Sequence, residues 1–162
     1  MFDRSLNRVN ERLNRTLTRN QLLQQATDQT RWQLRVSRVV IYYFYREWKG
    51  QVIIESLSQS EFSILGSTGA DDCFNGDYAQ RYLQGRILQI TDIEASDFDP
   101  CHLDFLRSIR VRADLVAPII VDQRLWGLLA AHHHEVRTWL AEEVEFVRQQ
   151  AQTLAGDLQL MD

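Results

Sequence analysis

Two stretches of helix-forming sequence, one at each end of the chain, bracket everything that reads as strand. The first 35 residues contain neither glycine nor proline, so nothing within them breaks a helix. Phe2, Leu6, Val9 and Leu13 recur at steps of four, three and four, a heptad seam that decays through Thr16 and Asn20 and resumes at Leu23. At the other end Leu140, Val144, Val147, Ala151, Leu154, Leu158 and Met161 keep the same alternation. The expected cap of that helix is Thr138, with Glu142 and Glu143 near its positive end. Such a seam either packs on its own sheet or joins a neighbouring helix. Seams at both ends fit a module cut from a longer signalling rod, with a parallel homodimer through the terminal helices as one arrangement.

Between the two helices, RVVIYYF and QVIIESL within residues 38–57 are rich in β-branched and aromatic residues and read as two strands, with Lys49-Gly50 as the turn. A polar, irregular stretch runs from Ser58 to Asn75. A short helix is expected from Asp77 to Gln84, stopped by Gly85, and ILQIT (87–91) is a further strand. Asp99-Pro100 marks a helix start, with Asp as cap and Pro in the first turn. ADLVAPIIV and RLWGLLAAHHH form a hairpin about Asp122-Gln123. The order helix, two strands, helix, strand, helix, two strands, helix gives an α+β domain with an antiparallel sheet flanked by helices. No repeat or Gly/Ser linker divides it, so residues 1–162 read as a single domain. Residues 1–35 are its helical lead, about 36–137 its sheet, and 138–162 its closing helix.

The formal net charge of −4 argues against nucleic acid as the ligand. With no run of about 18 apolar residues and no secretory signal, no membrane insertion by this segment is expected. The expected location is cytoplasmic, including the cytoplasmic part of a larger membrane receptor. The two cysteines, Cys73 and Cys101, cannot build a thiolate zinc site, and no metal site is expected. They could pair once, but a reducing compartment disfavours that.

Each cysteine is therefore judged by its setting. Cys101 falls in the first turn of the helix begun by Asp99-Pro100, where the dipole favours a thiolate, and His102 beside it can donate, accept or hold a proton. Cys73 follows Asp71 and Asp72, whose negative charge favours the protonated thiol and suits a bond that forms and breaks. Alternation sets His132 and His134 on one face of their strand and His133 on the other. Three function classes fit these residues: a covalent pigment sensor, a small-ligand module such as a cyclic-nucleotide binder, and a redox or metal sensor.

DPCHLDFL (99–106), RVRADLVAPI (110–119) and RLWGLLAAHHH (124–134), in this order, resemble the bilin-binding GAF domains of phytochromes and cyanobacteriochromes. DDCF (71–74) resembles the Asp-Xaa-Cys-Phe motif of their two-cysteine subgroup. RAD stands where RAN is commoner, and three histidines stand where two or fewer are usual. The resemblance implies the GAF fold, with the N- and C-terminal helices packed on one face of the sheet. It implies a photoreceptor carrying phycoviolobilin, made from phycocyanobilin by the domain itself and covalently attached, with no other enzymatic activity. Cys101 is then the permanent thioether to the A ring, and Cys73 a reversible one at C10. His102 and Asp71 contact the ring nitrogens, His132 faces the D ring, and Arg81 holds a propionate. Light isomerises C15=C16, the Cys73 bond breaks or re-forms, and absorption switches between blue and green. The implied partner is a fused output domain, as in phototaxis receptors.

Overall fold

A computed structural model describes residues 2–68, 74 and 76–161, without the side chain of Phe2. Among these the helices are α1 (Phe2–Leu34), α2 (Gly76–Leu83), α3 (Pro100–Ser108) and α4 (Ala141–Leu160). The strands are β1 (Arg38–Arg46), β2 (Lys49–Leu57), β3 (Leu88–Ile90), β4 (Ala113–Val121) and β5 (Arg124–His133). They form one antiparallel sheet in the order β2-β1-β5-β4-β3. No described helix is long and apolar enough to cross a membrane.

Successive side chains on a strand point to opposite faces, and both faces of this sheet are covered. On one face Val39, Ile41, Ala113, Leu115, Ala117, Ile119, Leu129 and Ala131 pack against Leu23, Ala26 and Leu34 of α1 and Val147, Ala151, Leu154 and Leu158 of α4. The terminal helices thus share one side, as the resemblance implied, and the α4 seam is used up on its own sheet. The front half of α1 has no such cover: Leu6, Val9, Leu13 and Leu17 are exposed. On the other face Val40, Tyr42, Phe44, Val116 and Ala130 meet Ala79 and Tyr82 of α2.

Local chemistry accounts for most of the connections, with two corrections. The β4–β5 turn holds Asp122 and Gln123 at φ 51° and 64°, the left-handed pair that a two-residue hairpin requires. The β1–β2 turn falls on Glu47-Trp48 and not on Lys49-Gly50, which already belong to β2. Gly50 is needed for another reason: a Cβ there would lie 2.1 Å from the Tyr43 carbonyl oxygen. Thr138 is not the cap of α4. That position is Leu140, whose backbone N–H donates to Glu143 Oε1 at 2.9 Å, so the glutamate reaches back from the first turn to satisfy an orphan donor.

Candidate ligand pocket

The second face of the sheet does not close completely on α2 and α3. A pocket remains there, with about 900 Å³ of empty space when open solvent at its mouth is included. Its walls are mainly apolar: Val40, Tyr42, Val116, Leu128 and Ala130 from the sheet, and Phe105, Leu106 and Ile109 from α3 and its end. Aromatic rings line one side. Phe74 stacks on Tyr82 at 6.4 Å between centroids and 11° between planes, and on Tyr78 at 6.1 Å. Phe98 stacks on His102 at 4.4 Å. Flat, largely apolar walls with few polar atoms suit a flat, largely apolar ligand.

α3 brings the first group of interest. Asp99 stands at its N-cap and Pro100 in its first turn, as expected. The Asp99 carboxylate makes no cap bond, however, and accepts instead from the Tyr78 hydroxyl at 3.4 Å. His102 lines the pocket, and its buried Nδ1 has no hydrogen-bond partner among the described residues. Burial lowers the His102 pKa, with Asp99 pulling the other way, so the ring is held neutral near pH 7. Cys101, one residue earlier, is exposed at the start of the helix. It is disulfide-bonded, and no cysteine among the described residues is a free thiol. This corrects the expectation of unpaired cysteines, which rested on compartment, whereas bridging needs only two sulfurs in reach. Cys73 and Asp71 lie outside the described residues.

The sheet brings a second group that sequence reasoning found only in part. In register, Arg38 of β1 faces His132 of β5, and His132 faces Asp114 of β4. The three side chains therefore form a row across adjacent strands on the pocket face. All are buried, with relative exposures of 2% for Arg38, 7% for His132 and 3% for Asp114. Arg38 donates from Nε to His132 Nδ1 at 3.0 Å, from Nη1 to the Phe62 carbonyl at 2.7 Å, and from Nη2 to the Ile109 carbonyl at 2.8 Å. A guanidinium cannot accept, so His132 Nδ1 must be the acceptor and Nε2 carries the ring hydrogen. Nε2 points to Asp114 Oδ1 at 3.6 Å, too far for a hydrogen bond, and that oxygen is buried without a partner. Burial and the neighbouring Arg38 cation drive the His132 pKa well below its usual value, so this contact is not an ion pair. Burial pushes the Asp114 carboxyl up to about 7, with Arg38 acting against it. Arg38 itself falls to about 10, mainly through burial.

Among the other expected residues, His132 lines the pocket, whereas His134, which alternation set on the same face, does not. Arg81 is exposed, with its guanidinium 5.7 Å from the Tyr78 ring centroid, and does not line the pocket, whereas Arg86 does. His134 lies tilted against Phe62 away from the pocket, and its Nδ1 and that of His133 both contact the Ser37 hydroxyl. Among the described residues, no group of three His, Cys, Asp or Glu could hold a metal ion.

The GAF domain family model matches residues 18–158. This chain is a GAF domain. The domain is similar to the GAF domain of PixJ, a cyanobacteriochrome of Thermosynechococcus elongatus, solved in its blue-light-absorbing form. The two are 32% identical with a TM-score of 0.86, over 92% of this chain and 89% of that one. The phycocyanobilin-bound GAF domain of a cyanobacterial phytochrome is 27% identical, with a TM-score of 0.81 over 98% of this chain and 94% of that one. A putative methyl-accepting chemotaxis protein of Synechocystis is 35% identical over 85% of this chain. The GAF domain described here spans 14% of that protein and 22–23% of two histidine kinases it also matches.

Proposed function

We propose that this GAF domain is a photosensor that holds a linear tetrapyrrole, a bilin, in the pocket beneath α2 and α3. The observation that carries the reading is the meeting, at the start of α3, of a cysteine with a neutral imidazole whose buried Nδ1 has no partner among the described residues. A bilin is flat and apolar enough for the aromatic walls, and its ring nitrogens can satisfy His102. Its propionates suit Arg86, the cation among the described lining residues, better than the outward-lying Arg81. The likeness to bilin-carrying GAF domains and the DPCHLDFL and DDCF motifs support the same reading.

When bound, a bilin supplies an electrophilic A-ring side chain, a C10 methine open to thiol addition, and a C15=C16 double bond that light isomerises. Cys101 Sγ, once reduced, forms the permanent thioether, and the positive end of α3 favours its thiolate. Cys73 adds reversibly at C10: its sulfur bonds the carbon and its proton passes to a ring nitrogen. Asp71 accepts hydrogen bonds from those nitrogens, and His132 presents Nε2–H to the D ring. With Cys73 bound the domain absorbs blue. With it released the domain absorbs green, because the pocket has converted phycocyanobilin to phycoviolobilin. Attachment and that isomerisation are the only catalysis ascribed to it. α1 and α4 pass the change to a fused output domain in the cytoplasm, for phototaxis, and a second copy lies along the exposed stripe of α1.

Reduction of the purified chain with a thiol reductant, followed by assembly with phycocyanobilin, tests this directly. The expected product is coloured, keeps zinc-enhanced fluorescence after denaturation, and converts reversibly between blue- and green-absorbing states. Cys101→Ala should lose covalent pigment, and Cys73→Ala should keep pigment but lose the blue state. Colourless wild-type protein would overturn the reading.

A further inference from the structure

Asp114 is the part of the pocket that the fold leaves unexplained. A carboxyl buried at the level of the core normally finds two or more donors, because an unsatisfied oxygen forfeits its hydration without return. Here Oδ1 has none, and the nearest donor, His132 Nε2, stops at 3.6 Å. The reason lies one strand further on. Arg38, the obvious counter-charge, is already committed to two carbonyls and to His132 Nδ1, and reaches Asp114 only through the field. The row therefore ends, on the pocket side, in an acceptor without a donor and a ring N–H without an acceptor.

We propose that Asp114 completes the D-ring contact already ascribed to His132, accepting the lactam N–H beside the carbonyl that takes the His132 Nε2–H. This rests on the bilin reading and adds to it a second acidic contact and an orientation. A lactam presents a donor and an acceptor on neighbouring atoms, which matches an acceptor and a donor standing side by side. A propionate does not fit, since it would set one carboxylate against another with no free cation at this end of the row. The groups facing Asp114 are Arg38 from β1, His132 from β5 and Tyr82 from α2, and Glu55 of β2 acts on Arg38. His132 is held neutral and the Tyr82 phenol is raised, so neither titrates near neutrality. His102, from α3, lines the same pocket and is lowered. Asp114 is left as the row's group that changes charge near pH 7. An N–H donor on its oxygen favours the carboxylate and brings that midpoint down.

The test uses the whole chain in the Cys73→Ala background, so that thiol addition does not contribute. In the ligand-free protein, the carbonyl-stretch infrared band of a protonated carboxyl should vanish as pH rises through about 7, and Asp114→Asn should lack that band. On assembly with phycocyanobilin the transition should move at least tenfold in proton concentration toward acid, and the pigment spectrum should titrate with it. Asp114→Asn should keep covalent pigment and lose that titration. Asp114→Leu should keep pigment with a displaced absorption maximum. If pigment attaches but Asp114→Asn titrates as the parent does, or the infrared transition does not move, Asp114 is not the lactam contact and the bilin reading stands. If no pigment attaches to the wild-type chain, the bilin reading fails and takes the proposal with it.

Discussion

The two faces of the sheet are made by the same five strands, one residue out of phase with nothing else to tell them apart, yet they do opposite work. Toward α1 and α4, β1, β4 and β5 present Val39, Ile41, Leu115, Ile119 and Leu129, a wholly apolar layer closed by helices. Toward α2 and α3, the alternate positions of those strands present Arg38, Asp114 and His132 beside Val40, Val116 and Ala130. The first face can be rigid because it has nothing to admit. The second keeps buried polar atoms, His102 Nδ1 and Asp114 Oδ1, whose hydrogen bonds the described residues leave unmade. A one-residue slip of register would exchange the two sets, so the packing of α1 and α4 on the dry face is also what aims the pocket residues.

That contrast breaks most easily at the dry face. Ala131→Asp puts an unpaired carboxylate among Val39, Leu115 and α4 with no donor in reach, and the expected outcome is an insoluble or unfolded chain. Circular dichroism and urea titration check it. A folded Ala131→Asp protein would mean that the helical layer is loose enough to admit water.

On the pocket face the largest expected effect belongs to Arg38. Replacement by Met keeps the stem but removes the donors to Phe62, Ile109 and His132 and strips Asp114 of its counter-charge. By analogy with broken buried ion pairs the cost is about 3–5 kcal/mol in urea unfolding. The Asp114 pKa should also rise, because the one interaction holding it down is gone. A loss below about 1 kcal/mol would mean that the row is an ornament of the sheet.

Asp114→Asn separates charge from shape. The folded carboxyl titrates at about 7, above its unfolded value, so the folded state holds its proton over a range where the unfolded chain has lost it. Wild-type stability therefore falls as pH rises from the unfolded value to about 7 and is flat above. The asparagine variant lacks that slope. Between pH 5 and pH 8 the difference between the two proteins should shift by roughly 2–3 kcal/mol in favour of the variant. His102 and His132, common to both, cancel in the comparison. A difference independent of pH would mean that Asp114 is ionised throughout.

Much of this arrangement can be read from residue order alone, and the exceptions share a cause. The element order, the Asp122-Gln123 hairpin and the Asp99-Pro100 helix start are local, set by backbone preferences of neighbouring residues. The dipeptides Lys49-Gly50 and the single Thr138 mislead because a glycine also serves a close strand approach, and a glutamate three residues on can cap as well as a threonine. The site depends on register between distant strands. Arg38 at the head of a strand reads as a surface cation until β5 is set beside it, and Asp114 reads as a variant of a common motif. Arg86 gains the pocket over Arg81 because Gly85, at φ 91°, turns the chain after α2. The parity shared by Arg38 and the apolar Val40 and Tyr42 was the available signal: an even-numbered charge on the same side as buried residues.

The smallest expected effect tests whether the two terminal seams are equivalent. Leu154 of α4 is buried against the dry face, whereas Leu13 of α1 is exposed in the same kind of heptad. Leu154→Ala should cost about 2–5 kcal/mol, as core truncations do. Leu13→Ser should change the stability of the dilute domain by no more than about 0.5 kcal/mol, since its side chain covers nothing within the chain. Urea titration at low protein concentration checks both. A loss above 1 kcal/mol at Leu13 would place the front of α1 in the fold's own core, and the contrast between a seam spent on the sheet and a seam left open would then fall.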